Sequence, residues 1–286
     1  MIEVEKKKQL FAELILFFVT FLWSTTFIGV KWALEGISPN FIVAYRFTIS
    51  LLLIILWQHK TLSSIKWNEL KWGLLLGLFL FIAYVSQTIG LKYTQANKSA
   101  FITALSVILV PVISLIIERK VPKTASLIGV VLAVLGLYLL LIHTGGDVNK
   151  GDFYTLICAI FWGLYIVVLS YSLEKMDSNG LLIGQFLIMT ILCWIVIFVM
   201  GEKLILPGKR FLFIILYLGI FCSFLTTFLQ TKFQRFTNST RVALIFTLEP
   251  IMVTVFSFIL LQEVLNLIQI IGAMIIITGI VVSEIS

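Results

Sequence analysis

The chain has 286 residues, of which 60% are hydrophobic and 12% are charged, and its formal net charge is +7. Soluble domains carry roughly 25% charged residues, so this composition excludes a soluble globular domain and indicates a protein embedded in a bilayer. The lysines and arginines lie in short connectors rather than on one face or in one tail, which indicates membrane topology and not nucleic-acid binding.

Ten apolar runs follow one another along the chain. Each is close to the ~20 helical residues that cross a hydrocarbon core about 30 Å thick. The runs lie near 11–32, 40–57, 72–91, 98–117, 124–143, 152–172, 180–200, 211–231, 240–260 and 265–283. Their connectors are short, so neighbouring helices should run antiparallel. The sequence therefore predicts an all-α integral membrane protein with ten transmembrane helices.

A spacing of 139 residues relates the two halves of the chain. It separates Trp23 from Trp162, Pro111 from Pro250, and the pair Arg46-Phe47 from Gln185-Phe186. We interpret the spacing as a duplication, with a first repeat at 11–143 (spans 1–5), a linker at 144–151 and a second repeat at 152–283 (spans 6–10). Because five is an odd number, the second repeat enters the membrane from the opposite side. Two inverted five-helix repeats are typical of secondary transporters.

The distribution of lysine and arginine predicts the orientation in the membrane. If the N-terminus lies inside, thirteen of these residues fall in inner connectors and seven in outer connectors. The bias comes from the first half, at nine to three, because the second half is balanced at four to four. The positive-inside rule therefore places both termini in the cytoplasm.

Polar side chains within the spans form clusters that predict a central binding cavity. Candidate substrate-binding residues of this kind are Trp23 and Ser24 in span 1, Tyr84 and Gln87 in span 3, and Thr226 in span 8. The alternative is that the hydroxyl groups bond to carbonyls of their own helix and hold helices together. Aromatic candidates for the same cavity are Trp162, Tyr165 and Phe246. For these rings the alternative is filling of the bundle core.

Two charged residues inside the spans are further candidates. Arg46 lies in the outer third of span 2, and a charge isolated at mid-bilayer costs about 2.5–3.5 kcal/mol. It could bind a substrate carboxylate or pair with a protein acid or a helix-end carbonyl. Glu249 lies near the middle of span 9, where it could carry a proton, bind an amine, pair with Arg46 or bond to a neighbouring helix. Pro111 and Pro250 each remove a helix hydrogen bond and are predicted to kink spans 4 and 9 at matching depths, with a kink of no functional consequence as the alternative.

The sequence offers little support for enzyme chemistry. Cys158, Cys193 and Cys222 lie inside apolar runs, and His59 and His143 stand alone at span ends. There is no HExxH, GxSxG or Walker motif. We therefore expect no catalytic residue, no metal site and no cofactor.

Several stretches resemble the EamA-type transporters of the drug/metabolite transporter (DMT) superfamily. The matching stretches are Trp23-Ser24-Thr25, "AYRFTISLLL", "LKYTQANKSAFITALSVILVP", "AIFWGLYIVVLS" and "RVALIFTLEPIMVTVFSFILLQEVLNLIQIIGAMIIITGIVV". The resemblance covers essentially the whole chain. It implies ten helices in two inverted EamA repeats, an inner-membrane location and export of small metabolites, often amino acids or related amines. The two copies differ after their prolines, where Glu118 follows Pro111 by 7 residues and Glu263 follows Pro250 by 13.

These observations predict a secondary transporter that works by alternating access. The expected substrate is a small amphipathic metabolite, an amino acid or a related amine, because the spans hold few charges and many aromatic rings. The expected partners are this substrate and the lipid bilayer. Proton coupling and a homodimer are left open. The alternatives are a lipid-carrier flippase on the same fold and a membrane scaffold protein that transports nothing.

Overall fold

A computed structural model describes residues 2–142, 148–204, 206–261 and 267–284, and this part of the chain folds into helices without a strand. The helices are α1 (Ile2–Ala33), α2 (Pro39–Gln58), α3 (Trp67–Tyr93), α4 (Ala96–Ala104), α5 (Ser106–Ile117), α6 (Thr124–Ile142), α7 (Lys150–Leu173), α8 (Ser178–Val199), α9 (Lys209–Gly219), α10 (Thr226–Phe233), α11 (Ser239–Phe246), α12 (Glu249–Leu261) and α13 (Leu267–Glu284). A π-helical segment (Ile220–Leu225) joins α9 to α10. His143, Glu263 and the first half of the predicted linker (144–147) lie outside the described residues.

Eight helical stretches among the described residues are long and apolar enough to cross a membrane. They match the predicted spans 1–4 and 6–9, with α4 and α5, α9 and α10, and α11 and α12 each forming one stretch. Two shorter apolar helices, Thr124–Leu139 and Ile270–Ser283, lie where spans 5 and 10 are predicted. The prediction of an all-helical, multi-pass membrane protein is therefore confirmed, and the count of ten spans stays a prediction.

The starts of the second helix in each half show the 139-residue relation. Ser38 precedes α2, and its side chain accepts a hydrogen bond from the backbone N–H of Phe41. Asp177 lies 139 positions later, precedes α8 and caps Asn179 in the same way. Such caps satisfy backbone N–H groups that have no partner within the helix. The same local chemistry therefore starts the second span of each half.

Spans 4 and 9 are both broken near their middle. At these breaks, equivalent residues of the two halves are no longer 139 positions apart. The first break lies at Leu105, between α4 and α5, and the second lies at Thr247 and Leu248, between α11 and α12. The helices that follow begin 143 positions apart, because residues have been added before this point, including the extra residue of a π-helical turn. The spacing of 139 therefore does not relate Pro111 and Pro250, which lie six and two residues after their respective breaks.

The helices of the two halves interleave through close glycine contacts. Helix α3 packs against α7 and α8, and α6 packs against α13. A Cβ atom on Gly73 of α3 would lie 2.6 Å from the carbonyl oxygen of Leu181 and 2.9 Å from the Cα of Gly184, both on α8. A Cβ atom on Gly129 of α6 would lie 2.6 Å from the carbonyl oxygen of Gly279 on α13. Small residues thus bring helices of the two halves into backbone contact, as membrane helix pairs require.

Candidate functional site

A small cavity lies in the centre of the helix bundle, and aromatic rings from both halves line it. Trp23 and Phe27 come from α1, Tyr84 from α3 and Trp162 from α7. The rings of Trp23 and Trp162 meet edge to face, with centroids 4.9 Å apart, and Tyr84 meets Trp162 at 5.8 Å. Trp23 and Trp162 are 139 positions apart, so equivalent residues of the two halves touch each other at the cavity wall.

The polar part of the lining comes from four helices, α1, α3, α4 and α12. It consists of Thr26, Gln87, Thr103 and Glu249. Gln87 Nε2 donates a hydrogen bond to Thr103 Oγ1 at 3.3 Å. Glu249 is the first residue of α12, where the helix dipole favours a negative charge. The described residues provide no hydrogen bond or ion pair to its carboxylate. Ala83 and Cys158 complete the wall, and the space for water centres is ≈ 20 Å³, about that of one water molecule.

Three polar atoms in this wall are buried without a hydrogen-bond partner among the described residues. They are the indole nitrogen Nε1 of Trp23, Oγ1 of Thr26 and the hydroxyl of Tyr84. A buried donor or acceptor left unpaired costs about 1–3 kcal/mol, so such groups are uncommon in folded proteins. Their concentration around one cavity indicates a place where a polar guest can be bound.

Arg46 lies behind the aromatic wall and not in it. Its side chain is fully buried, Nε donates to Ser223 Oγ at 3.0 Å, and Nη2 lies 3.4 Å from the Cys222 carbonyl oxygen. Its guanidinium carbon sits 5.1 Å from the centre of the Tyr84 ring. No carboxylate of the described residues lies within ion-pair distance, so Arg46 does not pair with Glu249. Arg46 instead ties α2 to the π-helical segment of span 8.

The structure places the two remaining aromatic candidates behind the cavity wall. Tyr165 and Phe246 lie one ring behind the cavity, with Tyr165 at 5.6 Å from Trp162 and Phe246 at 5.2 Å from Trp23. Tyr165 also donates its hydroxyl hydrogen to Gln185 Oε1 at 2.8 Å. The candidates that line the cavity are Trp23, Tyr84, Gln87, Trp162 and Glu249.

Ser24 and Thr226 do not line the cavity. Ser24 Oγ donates to the Phe21 carbonyl at 2.6 Å, and Thr226 Oγ1 donates to the Ser223 carbonyl at 3.3 Å. The alternative interpretation, that hydroxyls bond back to their own helix, therefore describes these two residues. The reason for Ser24 is helical periodicity, because Trp23 and Thr26 are three residues apart and share a face that Ser24 does not. That spacing could have identified Thr26, which sequence reasoning left out of the candidate site.

A pair of buried ion pairs, one near each end of the bundle, was not predicted from the sequence. Near the end that carries the N-terminus, Arg241 of α11 pairs with Glu13 of α1 at 3.2 Å. Near the other end, Lys98 of α4 pairs with Asp152 of α7 at 2.6 Å. Each charged side chain in these pairs is at most 11% exposed.

The two ion pairs occupy equivalent places in the two halves. Glu13 and Asp152 are 139 positions apart, and Lys98 and Arg241 are 143 apart, the same spacing as the helix breaks. A threonine donates a hydrogen bond to each carboxylate: Thr237 to Glu13 at 3.0 Å and Thr94 to Asp152 at 2.7 Å. Each ion pair connects the first helix of one half to the fourth span of the other half.

The two ends of the bundle carry different polar features. A polar pocket of ≈ 400 Å³ lies near the Glu13–Arg241 end, and Ser114, Glu118, Ser170, Gln234 and Ser239 are among its lining residues. Near the Lys98–Asp152 end, Lys31 Nζ donates to the Thr94 carbonyl oxygen at 2.5 Å, beside the ion pair. We call the larger pocket the vestibule. Its volume of ≈ 400 Å³ is far larger than the ≈ 20 Å³ of the central cavity.

Comparison with known proteins places these features in a family. Residues 10–142 and 149–284 match the model of the EamA-like transporter family. A protein of Archaeoglobus fulgidus named as an uncharacterized transporter is 32% identical over 279 residues, which cover 97% of this chain and 87% of that protein. YdfC of Bacillus subtilis, also named as an uncharacterized transporter, is 21% identical, and the match covers 91% and 86% of the two chains.

A solved crystal structure shares the fold. It matches 96% of both chains with a TM-score of 0.78 and 18% sequence identity. The described helices, the two family matches and the relatives agree on a membrane protein with two repeats. The chain therefore belongs to the EamA-like transporter family of the DMT superfamily and is a multi-pass membrane protein.

Proposed function

We propose that this protein is a secondary transporter that moves a small metabolite by alternating access between two inverted five-helix repeats. The repeats are residues 11–143 and 152–283, joined by the linker 144–151. The observation that carries this proposal is the pair of equivalent ion pairs, Glu13–Arg241 and Lys98–Asp152, near opposite ends of the bundle. Each connects one half to the other, so breaking one while the other holds would open the bundle at one end only.

Ten spans are needed for this inverted arrangement, and α6 and α13 supply spans 5 and 10. They contain 19 and 18 residues, or about 27–29 Å of helix, slightly less than an average hydrocarbon core. A bilayer accommodates such a shortfall by thinning, at a modest cost. The Gly129–Gly279 contact holds these two helices together at the edge of the bundle.

The proposed orientation places both termini in the cytoplasm of a cell whose inner membrane holds the protein. It rests on the thirteen-to-seven bias of lysine and arginine. The vestibule then faces the cytoplasm, and a substrate that enters it would be exported. Trp23, Tyr84, Gln87, Trp162 and Glu249 form the proposed substrate site at the cavity wall. Arg46, Tyr165 and Phe246 support that wall, while the hydroxyls of Ser24 and Thr226 bond to carbonyls of their own helices.

The breaks in spans 4 and 9 are the proposed hinges, with Pro111 and Pro250 close to them. Pro250 occupies the second position of α12, where a helix tolerates proline because that N–H has no partner within the helix. Pro111 lies inside α5 and deprives the Val107 carbonyl of its usual helical partner. Glu249, at the start of α12, is the proposed proton carrier if transport is coupled to protons.

Reconstitution into liposomes tests the proposed function. Purified protein should move members of an amino-acid and amine panel across the membrane, and a pH gradient should change the rate if protons are coupled. Movement of a lipid-linked compound with no movement of the panel would favour a flippase. No movement of either, together with cysteines at Gln87 and Thr26 that resist aqueous thiol reagents, would favour a scaffold protein.

A further inference from the structure

We propose that the central cavity binds an organic cation, an amine that carries no carboxylate and has a neutral hydrogen-bond acceptor such as a hydroxyl. This inference deepens the proposed function, because it rests on the cavity being the substrate site of a transporter. It narrows the substrate class from amino acids and amines in general to amines without an acid group.

The charges around the cavity favour a cation over an anion or a zwitterion. Glu249 is the charged residue of the described lining, and its carboxylate has no partner among the described residues. Arg46 is turned to Ser223 and the Cys222 carbonyl, and the Tyr84 ring stands beside its guanidinium. A substrate carboxylate would therefore be buried next to Glu249 without a basic side chain in the wall, and burial of a charge without a partner is costly.

The aromatic wall favours the same charge. Trp23, Tyr84 and Trp162 meet edge to face, with interplanar angles of 76° and 81° for the Trp23–Trp162 and Tyr84–Trp162 pairs. Edge-to-face packing turns these rings in different directions around the cavity. The face of an aromatic ring attracts an ammonium group, and the attraction is largest where water is excluded.

The unpartnered atoms specify the rest of the ligand. An ammonium group donates hydrogen bonds, and Thr26 Oγ1 and the Tyr84 hydroxyl oxygen can accept them. Trp23 Nε1 can only donate, so it needs an acceptor on the ligand. A neutral hydroxyl satisfies that donor without bringing a second negative charge near Glu249. All three side chains are more than nine-tenths buried, at 3–5% exposure.

The cavity must widen before such a ligand fits. Its ≈ 20 Å³ holds about one water molecule, whereas the vestibule offers ≈ 400 Å³. We infer that the amine binds when the two repeats move apart at the vestibule end. The binding affinity should therefore depend on the side chains of the cavity wall and not on the volume of the cavity in this conformation.

Three matched compounds test this inference on the purified full chain in lipid nanodiscs. Tyramine is an aromatic cation with a hydroxyl, tyrosine adds only a carboxylate, and tyrosol replaces the ammonium group with a neutral hydroxyl. Titration calorimetry should show that tyramine binds on the order of 30-fold more tightly than either of the others. Equal or tighter binding of tyrosine, or no binding of tyramine at millimolar concentration, would overturn the inference.

Variants test whether residues of the central cavity determine the preference for tyramine. Glu249→Gln keeps the shape of the side chain and should remove the preference for tyramine over tyrosol. Glu35→Gln is the matched control, because Glu35 lies in an exposed ion pair with Arg210 and should leave the preference unchanged. If Glu249→Gln does not fold, Trp162→Phe provides a second test, and it should weaken tyramine binding several-fold with no change for tyrosol, which has no ammonium group. Unchanged tyramine preference in a folded Glu249→Gln protein would contradict the inference.

Flux measurements separate this inference from the proposed function. If tyramine binds selectively but no compound crosses proteoliposomes, the ligand class stands and transport fails. If tyrosine or another zwitterion is transported and tyramine is not bound, the transporter stands and the ligand class fails.

Discussion

The two buried ion pairs should control which end of the bundle opens. Asp152→Asn removes the carboxylate to which Lys98 donates, and Glu13→Gln removes the one to which Arg241 donates. In each variant an amide can still accept a hydrogen bond, so the change replaces a charge-assisted interaction with a neutral one. The difference is about 1–2 kcal/mol, which corresponds to a shift of about 5- to 30-fold in the opening equilibrium.

Cys158 provides a reporter for this shift, because it lines the central cavity and is 2% exposed. In a background with Cys193→Ala and Cys222→Ala, a membrane-impermeant thiol reagent can be added to either side of proteoliposomes. Asp152→Asn should raise the modification rate from its own end, and Glu13→Gln should raise it from the vestibule end. The control Glu35→Gln should change neither rate.

Two results would refute this reasoning. If both variants raise the rate from the same side, the ion pairs do not act at opposite ends. If neither variant changes the rate while both remain folded, the ion pairs hold the fold together but do not control opening. The Lys98–Asp152 pair is the shorter of the two, at 2.6 Å against 3.2 Å, so Asp152→Asn should have the larger effect.

Three further predictions follow from the packing and the cavity wall. A Cβ atom on Gly77 would lie 2.5 Å from a backbone carbonyl oxygen of α8, so Gly77→Ala should destabilise the protein by about 1–3 kcal/mol in thermal unfolding. Gly163→Ala is the control, because the nearest described atom to its Cβ would lie 3.4 Å away, and equal unfolding midpoints for the two variants would contradict the close packing. Thr26→Val should weaken substrate binding about 2- to 12-fold by calorimetry. Ser24→Ala should leave binding unchanged, because the Ser24 hydroxyl is bonded to its own helix, and a larger loss of binding in Ser24→Ala than in Thr26→Val would exclude the assigned wall. Glu249→Gln should abolish the effect of a pH gradient on flux, and unchanged flux with unchanged pH dependence would rule out proton coupling through this residue.

The helices could be predicted well because the bilayer demands long apolar segments, which composition reveals directly. Apolar runs predicted the positions of the helices to within a few residues in most cases. The glycine contacts of α3 with α8 could also be anticipated from the Gly73 and Gly77 spacing. The break at Leu105 could not, because no proline or glycine lies there and the neighbouring residues are ordinary helix formers.

The cavity was partly predictable, and the misassignments have physical causes. Trp23 and Trp162 were identified because scarce residues recur at one spacing, and they do meet. The same spacing misled for the prolines, because the spacing between the halves grows from 139 to 143 along the chain. Because of that change, the spacing of 139 did not reveal that Lys98 and Arg241 are equivalent residues. Their equivalence is seen in the structure, where each base pairs with one of two equivalent carboxylates.

Distances between the two halves, measured at both ends of the bundle, test whether the two ends open in alternation. Spin labels can be placed on exposed residues across the two halves, at Lys8 and Phe236 near the vestibule and at Gln95 and Lys150 near the other end. Pulsed electron resonance then measures both distances in nanodiscs, with and without tyramine. Alternating opening of the two ends predicts that the two distance distributions shift in opposite directions when the ligand is added. Two distances that lengthen together, or that never change in a folded protein able to transport substrate, would contradict it.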